Sequence, residues 1–143
     1  MDEAEKRELY IRIHEEALNE PMDYFPHDSN AFEDDKLFAV FEKWGHAGIG
    51  LFWILAGLLH RKVGHVYDVS NGYGRLAHDM YTDEDTCERF VSTLDEVGLT
   101  VEGLLRERGK VSLQRAEKNA REYADKVAPA RLGAAITNAK RRA

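Results

Sequence analysis

Residues 47–61, AGIGLFWILAGLLHR, carry no formal charge before Arg61. A helix that is apolar nearly all round cannot lie on a surface; it belongs in the middle of a domain. It is also shorter than the roughly 20 apolar residues needed to span a bilayer. The other helices are therefore expected to wrap around this one. Gly48, Gly50 and Gly57 weaken it in isolation, by about 1 kcal/mol each against alanine. Close helix–helix approach at these positions is the expected compensation. With 143 residues, 43% of them apolar, the chain is long enough to bury a core as one domain with an extra arm.

On the N-terminal side, residues 3–19 have helix-forming composition and a thin apolar stripe at Tyr10, Ile13 and Ala17. That suits an arm that packs on something else. Two prolines in EPMDYFPHDSN mark a loop. Asn30 followed by Glu33 fits an N-cap and its capping-box partner, with Asp34 and Asp35 in the first turn at the positive end of the dipole. Leu37, Val40, Phe41 and Trp44 share one helical face, and Gly45 is placed to end that helix.

After the apolar helix the period changes. His65, Val66, Tyr67 and Val69 suit a short strand, and Asn71–Gly72 a turn. GRLAHDMY reads as a short helix. TDEDTCERFVSTLDEVG reads as another, capped by Thr82 or Asp83, buried through Cys87, Phe90, Val91, Leu94 and Val97, and ended by Gly98. GLTVEGLL supplies a further short strand and turn, a candidate partner for 65–69. From Lys110 onward the chain reads as a helix broken at Pro129. Its stripe of Ala116, Ala120, Tyr123 and Val127 favours an exposed or partner-dependent helix. The order helix, helix, strand, short helix, helix, strand is that of a winged-helix domain. The expected fold is mainly α. A winged-helix-like domain with a small β element spans 21–109, between a helical acidic arm at 1–20 and a basic helical tail at 110–143.

Net charge is −6 and unevenly spread. Residues 1–40 hold 4 basic and 12 acidic side chains, residues 41–103 hold 5 and 10, and residues 104–143 hold 11 and 4. Such asymmetry points to a nucleic-acid-binding tail or to tail-to-body contact between molecules. The single cysteine, Cys87, excludes an internal disulfide framework and a cysteine-based zinc knuckle. The charged N-terminus is unlike a signal peptide. A soluble, cytoplasmic protein that does not engage membranes is expected.

FPHDSNAFEDDKLFAVFEKWGHAGIGLFWILAGLL, residues 25–59, resembles the N-terminal domain of phage and prophage replisome-organiser proteins, a family related to DnaD-type primosome proteins. The residues that carry the resemblance are Phe25, His27–Asp28–Ser29–Asn30, Asp34–Asp35–Lys36, Gly45, Gly48–Ile49–Gly50 and Phe52–Trp53. It covers residues 24–103, with a looser echo in RLGAAITNAKRR. The resemblance implies a winged-helix-like fold and a role in initiating phage DNA replication. That role is binding an origin or assembling a helicase or primosome, without turnover. Two features depart from the family: relatives usually carry a second domain, which this length does not accommodate, and the helix at 83–97 is strongly acidic.

A helix that reads DNA must approach phosphates and needs Lys and Arg. Asp83, Glu84, Asp85, Glu88, Asp95 and Glu96 against Arg89 alone make a solvated outer face instead. DNA contact then falls to the tail, through Lys110, Arg115, Lys118, Arg121, Lys126, Arg131, Lys140, Arg141 and Arg142. The competing reading is a solvated helix with i,i+4 pairs such as Glu117–Arg121 and Glu122–Lys126. With Tyr123 the lone aromatic there, DNA binding is expected to be nonspecific and salt-sensitive. His27 and Asp28 offer two metal ligands, but no HxxxH or HExxH pair accompanies them. Nor is there a nucleophile elbow or a phosphate-cradling loop. His27, Asp28, Asn30, Asp34 and Lys36 are expected to be structural, and no catalytic residue, metal or cofactor is expected. The expected function is that of a non-enzymatic, replisome-organiser-like adaptor. Its expected partners are DNA, a protein of the replication machinery or host, and further copies of itself. The alternative is a small acidic phage protein that inhibits a host DNA-binding protein by occupying its DNA surface through Asp34, Asp35, Asp83, Glu84 and Asp85.

Overall fold

A computed structural model describes residues 1–26 and 31–142, with the side chain of Phe32 left aside. Its centre is α2, Asp35–Arg61, which contains the apolar stretch. Gly45 lies inside α2 with φ 67° and ψ −159°, so the helix is interrupted where a glycine stop is expected and resumes at once. Phe52, Leu55, Ala56 and Leu59 of its second half are at most 1% exposed. Burying a side chain such as Phe52 contributes roughly 2–3 kcal/mol. Asn30, the expected cap, lies outside the described residues. Among those described, a 3-10 turn at Ala31–Glu33 precedes the helix, and Asp34 is the cap, accepting from the backbone N–H groups of Lys36 at 2.8 Å and Leu37 at 3.0 Å.

Two short helices follow, α3 (Gly74–Asp79) and α4 (Glu84–Val97). Asp83 caps α4 through the N–H of Thr86, and Gly98 ends it in the left-handed region at φ 83°. Cys87, Phe90, Val91 and Leu94 are the fully buried face, as the spacing predicts, whereas Val97 at the end of the helix is only partly buried. Trp44 ties α2 to α4: its ring meets Phe90 edge-on and its Nε1 donates to Thr93 Oγ1 at 3.0 Å.

The sheet differs from expectation. Strand β1 (Tyr67–Asp68) pairs antiparallel with β2 (Lys110–Val111), not with residues 98–105. Thr100 instead bridges Leu113 on the other side, with Val101 N–H donating to Ser112 O at 3.0 Å and Gln114 N–H to Leu99 O at 3.0 Å. Residues 110–113 are thus the middle strand between 67–69 and 99–101. The intervening segment, with α5 (Leu104–Arg108), forms the wing. Left-handed glycines at 103 and 109 bound α5 and let the chain double back. The result is a mainly helical, winged-helix-like fold with a small β element.

Lys110–Leu113 is extended because it completes this sheet, so the last helix, α6, begins at Gln114 and runs to Arg142. Pro129 does not break it. The proline lies on the exposed side of α6, as does Asp125, whose hydrogen bond it forfeits. The stripe that α6 buries is Ala116, Ala120, Ala124 and Ala128, whereas Tyr123 and Val127 stay half-buried. Helix α1 (Glu3–Leu18) packs along α6, burying Ala17. The thin stripes of arm and tail therefore meet each other within one chain. Val111, Leu113 and Ala116 join the same core as α2 and α4, so residues on both sides of position 110 share one interior.

Candidate functional site

Of the family-motif residues, His27, Asp28 and Asn30 lie outside the described residues. Asp34 and Lys36 hold structure. Asp34 caps α2, and Lys36 Nζ donates to the carbonyl of Gly98 at 3.0 Å, placing a cation on the C-terminal end of α4. Phe25, just before the motif, stacks on His60 with ring centroids 3.8 Å apart.

His60 is fully buried and belongs to a network that sequence reasoning missed. Its Nδ1 donates to Ala56 O at 2.6 Å, which leaves Nε2 to accept from Asn119 Nδ2 of α6 at 3.0 Å. Burial pushes the His60 imidazole below its ordinary pKa, against the bond to Ala56. His65 is buried beside it at φ 57°, with Nδ1 on Leu59 O at 2.9 Å and Nε2 without a hydrogen-bond partner among the described residues. The sequence signal was a histidine on the buried face of an apolar helix, which marks a satisfied core residue as readily as a site.

A cleft of about 270 Å³ opens beside the motif. Leu37 and Phe52 contribute its apolar wall, and Lys36, Arg115, Lys118 and Glu122 its charged rim. Lys36 is already committed to Gly98, and among the described residues no nucleophile is paired with a base on the rim. Among the described residues no three His, Cys, Asp or Glu side chains cluster as a metal site would require. Burial pushes the Cys87 thiol up to about 11, so it is protonated and inert at neutral pH.

The nine basic residues expected to meet DNA do not form one surface. Arg131 forms a two-pronged pair with Glu20 (Nη2 to Oε2 2.9 Å), which also accepts from Tyr123. The Arg131 contact holds the Glu20 carboxyl below its usual range. Arg115 lies over the Trp53 ring, 5.3 Å from its centroid. Lys118 faces Glu122 at 4.0 Å and Arg121 faces Glu117 at 3.9 Å along α6. Lys110 sits in β2 opposite Asp68. Lys126, Lys140, Arg141 and Arg142 are exposed and form no ion pair among the described residues, the last three closing α6. About 33 Å of helix axis separates Lys118 from Lys140. Arg106 and Arg108, exposed on the wing next to Lys110, were missed because the loop's placement depends on the sheet. On α4, Glu84, Asp85, Glu88 and Glu96 are exposed, and Asp83 is held below its usual range by its bonds to Thr86.

The body is winged-helix-like, with exposed charge at its edges and no assembled catalytic group among the described residues. A family match covers residues 24–111: the chain belongs to the phage-type family described as Lin1244/Lin1753-like, N-terminal. That match ends at β2, so α1 and α6 lie outside it. No curated protein and no solved structure matches the chain. No helix of the described residues is long and apolar enough to cross a membrane.

Proposed function

We propose that the protein acts by binding, as a replication-type adaptor of phage origin whose contacts to DNA come from Lys140, Arg141 and Arg142, assisted by Arg106 and Arg108. The observation that carries this reading is the end of α6, three adjacent cations exposed to solvent with no acidic partner among the described residues. Arg131 drops out of the expected set because Glu20 neutralises it. Lys118 and Arg121 are partly offset by neighbouring glutamates. Helix α4 occupies the place of a reading helix but would repel phosphate.

The test is binding of the intact chain to labelled duplex and single-stranded DNA across a salt series, beside a variant with Lys140, Arg141 and Arg142 changed to Gln. Binding should weaken steeply with salt, and the triple substitution should flatten that dependence by up to about 0.9 log units per lost duplex contact. Absence of binding at low salt, or binding indifferent to the substitutions, would overturn the assignment.

A second reading has its own support. The exposed carboxylates of α4 sit on the helix where a DNA-reading helix-turn-helix variant would need cations, and such an acidic face is what an inhibitor of a DNA-binding protein requires. Charge reversal at Glu84 and Asp85 would then abolish capture of a basic partner while leaving the end of α6 irrelevant.

A further inference from the structure

We propose that the outer face of α2 is a dimer surface, on which a second copy of this chain packs in antiparallel fashion about a two-fold axis near Gly50. The inference is independent of DNA binding by the end of α6. It begins with glycines that the monomer does not explain. A Cβ on Gly48 would lie 2.3 Å from Trp44 Cβ, so that glycine is required by its own fold. Among the described residues, Gly50 and Gly57 have nothing within 4 Å of where a Cβ would stand. They weaken a central helix without admitting any neighbour among those residues.

The face they occupy is apolar and open. Phe38 is 55% exposed, Phe41 37% and Ile54 36%. The patch is continuous across the interruption at Gly45, because Phe38 neighbours Phe41 (6.3 Å between ring centroids) and Phe41 meets His46 edge-on (5.0 Å). Helical spacing then carries His46, Gly50, Ile54, Gly57 and Arg61 along one side. Contiguous exposed apolar surface of this kind marks an interaction site.

The charges select the occupant. Asp35 and Glu42 flank the phenylalanines at one end, Arg61 lies at the other, and none of them has an ion-pair partner among the described residues. An antiparallel copy brings each acidic end onto the partner's basic end. That is the self-complementarity a two-fold interface demands. Position 50 lies midway between the acidic and basic ends, where a missing side chain allows the closest approach of the two helices.

The 143-residue chain should sediment as a dimer at micromolar concentrations. Gly50→Glu adds a side chain whose Cβ meets no described residue of the monomer, so it should weaken association by about tenfold or more, while circular dichroism shows the fold retained. Glu42→Arg should weaken association on its own, and adding Arg61→Glu should restore it. A monomeric mass at every concentration would overturn the proposal. So would a dimer indifferent to both Gly50→Glu and Glu42→Arg, since another surface would then hold the copies together and a different partner would cover α2.

Discussion

Tyr81 takes the left-handed region at φ 60° and is 89% exposed. It occupies the position after α3 where glycine is favoured, with Tyr81 N–H on His78 O and Thr82 N–H on Ala77 O closing the helix. Since the ring gains little from its surroundings, Tyr81→Gly should raise stability by about 1 kcal/mol, read as a higher denaturation midpoint at unchanged slope. The buried His60 carries the opposite kind of strain. Its folded pKa is depressed first by burial and further by His65 and Arg115. The unfolded chain therefore takes up a proton near pH 6.5 that the folded chain refuses. Stability should be full above that pH and fall below it, by up to about 1.4 kcal/mol per pH unit, until the folded pKa is reached. Denaturation of the wild type and His60→Gln at pH 7.5 and pH 5.5 checks this, since the variant should lose part of the pH dependence.

Arm and tail are elements that neither periodicity nor composition could pair. Each shows a stripe too thin for a core, and together they make one because Ala17 meets a helix whose buried side is alanine at every fourth position. The Glu20–Arg131 pair with Tyr123 locks the junction. A double-mutant cycle on Glu20→Ala and Arg131→Ala should return a coupling of about 1 kcal/mol, limited because both side chains remain partly in water. Pro129 shows the limit of reading a helix breaker locally. It is tolerated because the surface helix is held in place by alanines on its other side. Pro129→Ala should accordingly stabilise α6, by no more than about 3 kcal/mol, seen in melting temperature and in helical signal.

At the scale of the molecule, the basic C-terminal third is no detachable appendage. A chain ending at Gly109 loses the middle strand together with Val111, Leu113 and Ala116. It should show no cooperative thermal transition by calorimetry, so DNA contacts are better tested by point substitution. The sequence by itself determined what depends on neighbours along the chain: the central apolar helix and the glycine stop at Gly45, a cap at Thr82 or Asp83 for α4 with most of its buried face, and the thinness, though not every member, of the stripes on α1 and α6. These follow from helical period and glycine conformation, which act over a few residues. Tertiary structure decided what depends on partners far away in sequence. It assigned 110–113 to the sheet rather than to a helix, because strand pairing is a property of two segments and not of one. It sent Arg131 to Glu20 and Asn119 to His60, and left Lys140–Arg142 unpaired among the described residues. Local pattern could count the charges of the tail and pair Arg121 with Glu117, but only the packing of α1 against α6 could say that Arg131 is already neutralised.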